Sequence, residues 1–297
     1  KAQAAEAKAA LAAACEMAGW EPPLVFETTV DSPGYRQAQD ALAAGADVVL
    51  AAGGDGTVRE VARALAHQRA AMGLLPLGTG NLRARNLGVA VNDLPGSIQA
   101  ALHGTERRID MGRLELENSR TGARSASNFL VMGGIGLDAE VIAATRDDLK
   151  RRVGWLAYSE AGIRLMPGPR RRMRIQLDDA PAQVRKVRSV LFANTGKLPA
   201  GIDFIPSAAL DDGMLDIVVL TPRTVLGWMA VAGKVVTRHR KELSLIDYTR
   251  ARKVTASTEE PIITQLDGDP TGPATRVSVS VDPRSLLVRA PDAGTGS

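Results

Sequence analysis

Asp47-Val-Val-Leu-Ala-Ala-Gly-Gly-Asp-Gly-Thr-Val58 decides the fold. Asp47 to Ala52 is a short apolar run, the pattern of a strand buried on both faces. Gly53-Gly54-Asp55-Gly56 turns the chain, and Thr57 is placed to cap a helix in which Val58, Val61, Ala62 and Leu65 recur at helical spacing. Upstream, the Ala-rich residues 1 to 18 read as a helix and Leu24 to Val30 as a strand. Pro33 and Gly34 break that strand, and a helix from Arg36 to Ala44 stops at Gly45. Downstream, Met72 to Leu75 reads as another strand, ending in Pro76-Leu77-Gly78-Thr79-Gly80-Asn81. Strands alternating with helices predict a parallel, doubly wound sheet.

The pattern changes after Asp110. Met173, Ile175 and Leu177 alternate with Arg172, Arg174 and Gln176, and Val277, Val279 and Val281 alternate with Ser278 and Ser280. Period-two runs separated by Asp-Gly and Pro turns predict a mainly antiparallel β-sandwich, with a helix such as Trp155 to Met166. The fold class expected is therefore α/β with two domains, residues 1–112 binding nucleotide and residues 113–290 forming the sandwich. Pro291 to Ser297 is a polar tail.

Composition narrows the function classes. The 297 residues are 45% hydrophobic and 24% charged, the balance of a chain that folds into packed domains. Aromatics at 3% are too few to give a single-strand nucleic-acid binder its stacking platforms, so no nucleic-acid partner is expected. Cys15 is the only cysteine, so no intrachain disulfide can form, which fits a reducing cytoplasm. It lies in the Ala-rich helix and is expected in the core. Net charge is +4, but Arg146, Lys150, Arg151, Arg152, Arg164, Arg170, Arg171, Arg172 and Arg174 are concentrated in one stretch. That stretch is either a solvated basic face or a surface for anionic lipid, where each basic residue contributes about 1 kcal/mol. The best apolar run, Val225 to Gly233, is far shorter than the ~20 residues a bilayer span needs. No signal-peptide pattern opens the chain.

Two loops carry the chemistry. Gly53 to Thr57 lies at the carboxyl end of a strand and before a helix, where ligands of open α/β sheets bind. Glycines let the backbone approach phosphate oxygens and aim N–H groups at them, and the helix N-terminus adds partial positive charge. A carboxylate among phosphate-binding amides makes sense when a cation lies between, so Asp55 points to Mg2+. The competing reading is a glycine-rich turn with Asp55 as a local cap. The second loop adds Thr79 and Asn81 as hydrogen-bonding groups at the same sheet edge. Neither loop is a Walker A sequence or a dinucleotide fingerprint. His67, His103 and His239 stand alone, without metal-ligand spacing.

Gly-Gly-Asp-Gly-Thr-Val followed by Pro-Leu-Gly-Thr-Gly-Asn resembles the diacylglycerol kinase catalytic family, which includes bacterial lipid kinases, sphingosine kinases and ceramide kinases. Three further segments resemble the family in order: Gly133 to Ile142, Leu210-Asp211-Asp212-Gly213-Met214-Leu215-Asp216, and Gln265-Leu266-Asp267-Gly268-Asp269-Pro270. The resemblance implies an α/β nucleotide domain, a β-sandwich and an active site in the cleft between them. It implies ATP as co-substrate and Mg2+ as cofactor. Thr29, Gly53, Gly54, Asp55, Gly56, Thr57, Val58, Gly78, Thr79, Gly80 and Asn81 would bind the nucleotide. Asp55 and Asp110 would organise the catalytic Mg2+ through waters. Asp267 or Asp269 would take the proton from the lipid hydroxyl. Asp212, with the carbonyls of Ala209 and Met214, would hold a structural Mg2+, although Asp212-Gly213 also reads as an ordinary turn.

Three departures qualify the match. The chain starts after the family's Asn-Pro-x-x-Gly loop, so an N-terminal strand and loop are expected upstream of Lys1. Leu82 stands where many members have Asp, and Asp269 stands where they have Glu. The expected function is an ATP-dependent lipid kinase, cytoplasmic and peripherally membrane-associated, acting in lipid metabolism. Exposed β edges allow a homodimer. Two alternatives stay open: an NAD kinase, which shares Gly-Gly-Asp-Gly-Thr, and a non-catalytic nucleotide- or lipid-binding protein of the same fold.

Overall fold

In the computed structural model, the described residues are 2–78, 81–136, 170–197, 204–205, 208–237, 243–267 and 269–291. They fall into two units. The first comprises Lys1–Met111, Lys197–Gly201 and Pro283–Ser297, the second Gly112–Gly196 and Ile202–Asp282. The chain passes from one to the other within β3 (Thr105–Glu117) and returns within β12 (Asp269–Ala290). Residues 283–290, read from sequence as sandwich, thus cluster with the first unit.

The first unit is built on β1 (Val48–Gly53) and β2 (Ala71–Pro76), which pair in parallel, with Val288 of β12 parallel to Met72 on the other side of β2. α3 (Asp55–Leu65) packs against β1 through Val58, Val61, Ala62 and Leu65, the stripe expected from their spacing. Successive strand residues point to opposite faces. Leu50 of β1 accordingly joins Leu75, Cys15 of α1 (Ala2–Met17), and Ile98 and Leu102 of α5 (Leu94–His103) in a separate apolar cluster. α5 comes so close to β2 that a Cβ on Gly73 would stand 2.6 Å from the Cβ of Ala101. α2 (Tyr35–Ala43) lies on α3 and ends at Gly45, whose φ of +83° suits the expected glycine stop.

Three local expectations fail here. Residues 24–30 form no strand: Leu24 is 64% exposed and Val30 98%. β propensity describes fit to a neighbouring strand, and this segment pairs with none of the described strands. β1 is covered unevenly on its two faces: Val49 and Ala51 are buried, while on the other face Leu50 is only half-buried against the second cluster and Ala52 is exposed. Thr57 does not cap α3. The helix starts two residues earlier, so Gly54 is the N-cap, with no side-chain cap bond, and Thr57 lies inside the first turn.

The second unit is an antiparallel β-sandwich. β5 (Met132–Gly136), β8 (Ser189–Ala193), β9 (Leu215–Leu220) and β10 (Ile246–Ala251) form one antiparallel series. β11 (Lys253–Leu266) pairs antiparallel with β12, β5 and β6 (Arg171–Leu177). β4 (Arg124–Phe129) and β7 (Gln183–Val187) pair with β3 and β6. Met173, Ile175, Val277 and Val279 point into a core with Phe129, Phe192, Leu215 and Val254, as their alternation requires. α4 (Leu82–Asn86) belongs to the first unit and α6 (Val225–Thr237) to the second. The helix expected over 155–166 and most of the basic stretch before Arg170 lie outside the described residues.

Candidate functional site

Parallel pairing sets the carboxyl ends of β1 and β2 side by side, with Gly53 opposite Pro76. The loops that follow therefore meet. A Cβ on Gly78 would lie 2.6 Å from the Cα of Gly54, so the two glycines touch backbone to backbone. A side chain at Gly78 would part the loops, whereas a Cβ on Gly54 would lie 3.8 Å from the Gly78 Cα, an ordinary contact. Gly53 faces the side chain of Thr57, whose Oγ1 would be 3.0 Å from an added Cβ. Nothing lies within 4 Å of the Cβ position at Gly56. The first turn of α3 thus presents an open backbone surface.

Asn81 closes the second loop. It is 3% exposed, adopts left-handed φ and ψ of 46° and 41°, and its Oδ1 accepts the N–H of Gly78 at 3.1 Å while its Nδ2 donates to the Gly78 carbonyl. Asn tolerates that conformation better than most residues. Asp55 is bonded to the helix that follows: its carboxylate accepts the N–H groups of Leu82 at 3.3 Å and Arg83 at 3.4 Å. Nη1 of Arg83 is 3.3 Å from Asp55 Oδ1 and also donates to the Asp55 carbonyl. Sequence reading missed Arg83. Its only signal was position, directly after the Leu82 departure. Its burial at 2% exposure could come only from the packing.

Gly53 to Val58, Gly78 and Asn81 are brought together. Thr79 and Gly80 lie outside the described residues. Thr29 is exposed on a turn in which its Oγ1 accepts the N–H of Ser32, and Gln37 of α2 holds that turn by donating to the carbonyls of Glu27 and Ser32. The same segment reaches α3 at Gly34, where an added Cβ would lie 3.2 Å from the Thr57 carbonyl. Asp110 is fully buried in β3, and its Oδ1 accepts the N–H of Arg284 at 2.7 Å.

The second unit holds the other candidates. Asp267 ends β11 with φ +50°, and its Oδ1 accepts two backbone N–H groups, Val131 and Met132, each at 3.0 Å. Its own N–H donates to the Met132 carbonyl at 2.7 Å. These bonds fix the carboxylate beside β5. Asp269 starts β12 and is exposed. Gly268 lies outside the described residues. Asn194, 1% exposed, donates to the Leu130 carbonyl at 3.2 Å and supports the same turn.

Mg2+ is usually held by one or two carboxylates with phosphate and water oxygens. Asp55, a quarter exposed, supplies one such carboxylate, although the Leu82 and Arg83 N–H groups and the Arg83 guanidinium already engage its oxygens. Asp212 is engaged in the same way. Its Oδ1 accepts the N–H of Met214 at 3.0 Å, closing a local turn at Gly213, and its Oδ2 is paired with Arg250. The β9–β10 register sets Arg250 opposite Asp216, and Arg250 Nε lies 3.7 Å from Asp216 Oδ1. Burial pushes the Asp216 carboxyl above its usual range; Arg250 lowers it and Asp212 raises it. One guanidinium is therefore shared by the two carboxylates of this hairpin. Among the described residues, no group of three or more His, Cys, Asp or Glu could hold a metal.

Comparison with known proteins agrees with this architecture. Residues 1–114 match the diacylglycerol kinase catalytic domain, and residues 132–290 match the YegS C-terminal NAD kinase beta sandwich-like domain. A probable lipid kinase YegS-like from Pseudomonas aeruginosa is 33% identical over 290 residues, covering 96% of this chain and 90% of that protein. Diacylglycerol kinase of Bacillus subtilis is 28% identical over 257 residues, covering 86% and 81%. The crystal structure of a putative diacylglycerol kinase from Bacillus anthracis superposes with a TM-score of 0.77 at 22% identity, covering 97% of this chain and 91% of that one.

Proposed function

Because the chain belongs to the diacylglycerol kinase and YegS-like lipid kinase family, we propose that it transfers the γ-phosphate of ATP to the hydroxyl of a lipid. Diacylglycerol and sphingoid bases are the acceptor classes that the family resemblance suggests. The observation that carries the nucleotide half is the meeting of Gly54 and Gly78 beside the open first turn of α3. Phosphoryl transfer asks a protein mainly for positioning and charge neutralisation. The backbone N–H groups of Gly54 to Thr57 would receive phosphate oxygens, with the helix N-terminus adding positive charge.

Mg2+, when bound, would neutralise the phosphates, held by Asp55 with Asp110 as the family's second metal carboxylate. Arg83 keeps Asp55 aimed across the loop pair. Asp267 is the base we favour over Asp269, because its two N–H bonds orient it while Asp269 is exposed. It would accept the hydroxyl proton as the oxygen attacks the γ-phosphorus and the bond to the β-phosphate oxygen breaks. A structural Mg2+ at Asp212 would have to displace Arg250 from its carboxylate.

The test is transfer of labelled γ-phosphate from ATP with Mg2+ to a panel of lipids in mixed micelles, with NAD as a separate acceptor and Asp267→Asn run alongside. Labelled lipid, lost in the variant, supports the proposal. Labelled NADP would replace it with the NAD kinase reading, for which the description of the C-terminal domain speaks. ATP binding without transfer to any acceptor would replace it with a non-catalytic role.

A further inference from the structure

α6 has two unlike faces. A helix turns about 100° per residue, so Leu226, Met229, Ala230 and Gly233 share one arc and Trp228 and Val231 the opposite one. Trp228 and Val231 are each 6% exposed. They seat the helix, and Gly227 abuts Pro222 and Leu245 beside them. Leu226 is 75% exposed and Met229 62%, with Ala230 and Gly233 also exposed. From Leu226 to Gly233 the outward arc is therefore apolar, although polar side chains normally cover the solvent face of a helix.

The sequence around the helix is basic. Arg223 is exposed just before the helix. Lys234 lies on its flank, with Nζ 5.4 Å from the ring centroid of Tyr248, itself 40% exposed. From Ile217 to Lys241 the sequence contains no Asp or Glu. Apolar side chains flanked by cations and a tyrosine are the composition of a helix lying in a membrane interface. Thirteen residues span about 20 Å, short of the ~30 Å hydrocarbon core. Among the described residues, no helix is long and apolar enough to cross a membrane.

We propose that α6 docks this protein on an anionic phospholipid surface, lying in the plane of the interface with Leu226 and Met229 inserted and Arg223, Lys234 and Tyr248 at headgroup level. The purpose of such docking rests on the lipid-kinase reading, but the binding itself does not. Charge complementarity selects this occupant: an apolar arc alone would suit a second copy of the chain equally, whereas the flanking cations Arg223 and Lys234 suit anionic headgroups.

The experiment is flotation of the full chain with vesicles of phosphatidylcholine, with and without phosphatidylglycerol. It compares the parent, the double variant Leu226→Ser/Met229→Ser, and Val184→Ser. Val184 is another exposed apolar residue, on β7 at 58% exposure, so its variant controls for general loss of hydrophobicity. The expected result is binding to the phosphatidylglycerol vesicles that falls at least about tenfold in the double variant and is unchanged in Val184→Ser. Unchanged binding in the double variant overturns the proposal. So does a concentration-dependent dimer in sedimentation velocity that the double variant abolishes, which would assign the face to a second copy. Phosphorylation of water-soluble dioctanoylglycerol, measured without vesicles, keeps the two readings apart. The double variant retains it if only docking is lost. A parent that binds vesicles but phosphorylates no acceptor would overturn the kinase reading alone.

Discussion

Gly56→Ala separates what the first turn of α3 does for stability from what it does for ligand. Gly56 is the second residue of the helix, its φ is outside the left-handed region, and no atom lies within 4 Å of the added Cβ. Alanine therefore meets no clash and gains the helix preference that glycine lacks, about 0.5–1 kcal/mol. For a domain of this size that raises the melting temperature by about 1–4 °C. On the proposed nucleotide site the same Cβ stands where a phosphate oxygen would approach the amides, so ATP affinity should fall at least about tenfold. Saturating ATP at a hundred times its Kd adds about 2.7 kcal/mol of stability. A tenfold weaker Kd removes about 1.4 kcal/mol of that. The assay is a thermal melt with and without ATP and Mg2+: the variant should melt higher alone and show an ATP-induced shift cut to about half. A lower melting temperature without nucleotide would refute the packing argument. A higher one with the full ATP shift would refute phosphate binding at this turn.

Asp267→Asn keeps an oxygen to accept the Val131 and Met132 N–H groups, so it should melt within a degree or so of the parent while kcat for phosphoryl transfer falls by about 10²- to 10⁴-fold. Arg83→Ala removes a buried guanidinium from a carboxylate that is only a quarter exposed; it should destabilise the first unit by about 1–3 kcal/mol in urea unfolding. Arg250→Ala leaves Asp216 buried without its guanidinium and should cost about 1–3 kcal/mol at neutral pH. Burial holds the native Asp216 carboxyl above its unfolded value. The folded state thus binds this proton more tightly, so the penalty shrinks as pH falls through the native pKa, and melts across pH would show it. In the same variant, and not in the parent, millimolar Mg2+ should raise the melting temperature by engaging the exposed Asp212 carboxylate. Cys15 is 4% exposed and burial pushes its thiol up; iodoacetamide at pH 8 should leave the native chain almost unlabelled over a time that fully labels the urea-unfolded chain, as read by mass spectrometry.

Much of the site was legible because it is local in sequence. Glycines at 53, 54, 56 and 78 are informative wherever they stand after a strand, and the structure explains the one at 78, where an added Cβ would stand 2.6 Å from the Gly54 Cα. The helix stripe of Val58, Val61, Ala62 and Leu65 and the alternation around Met173 and Val277 follow from the 3.6- and 2-residue periods, which any burial of one face imposes. The errors share one cause. Residues 24–30 have strand composition, but a strand exists only through a partner. Thr57 has capping chemistry, but the helix begins where the backbone leaves β1, at Asp55.

By itself the sequence determined the order of α/β and β units, the glycine loops and the positions of Asp55 and Asp267, because periodicity and backbone freedom belong to neighbouring residues. Tertiary structure alone decided who faces these groups. Arg83 meets Asp55 across 28 positions and Arg250 meets Asp212 across 38, because parallel loops and an antiparallel register bring them together. It also decided which side of α6 is left exposed: the helix is apolar nearly all round, and only its seating on Trp228 and Val231 turns Leu226 and Met229 outward. Pairing and burial are properties of the packed chain, and no local pattern of residues encodes them.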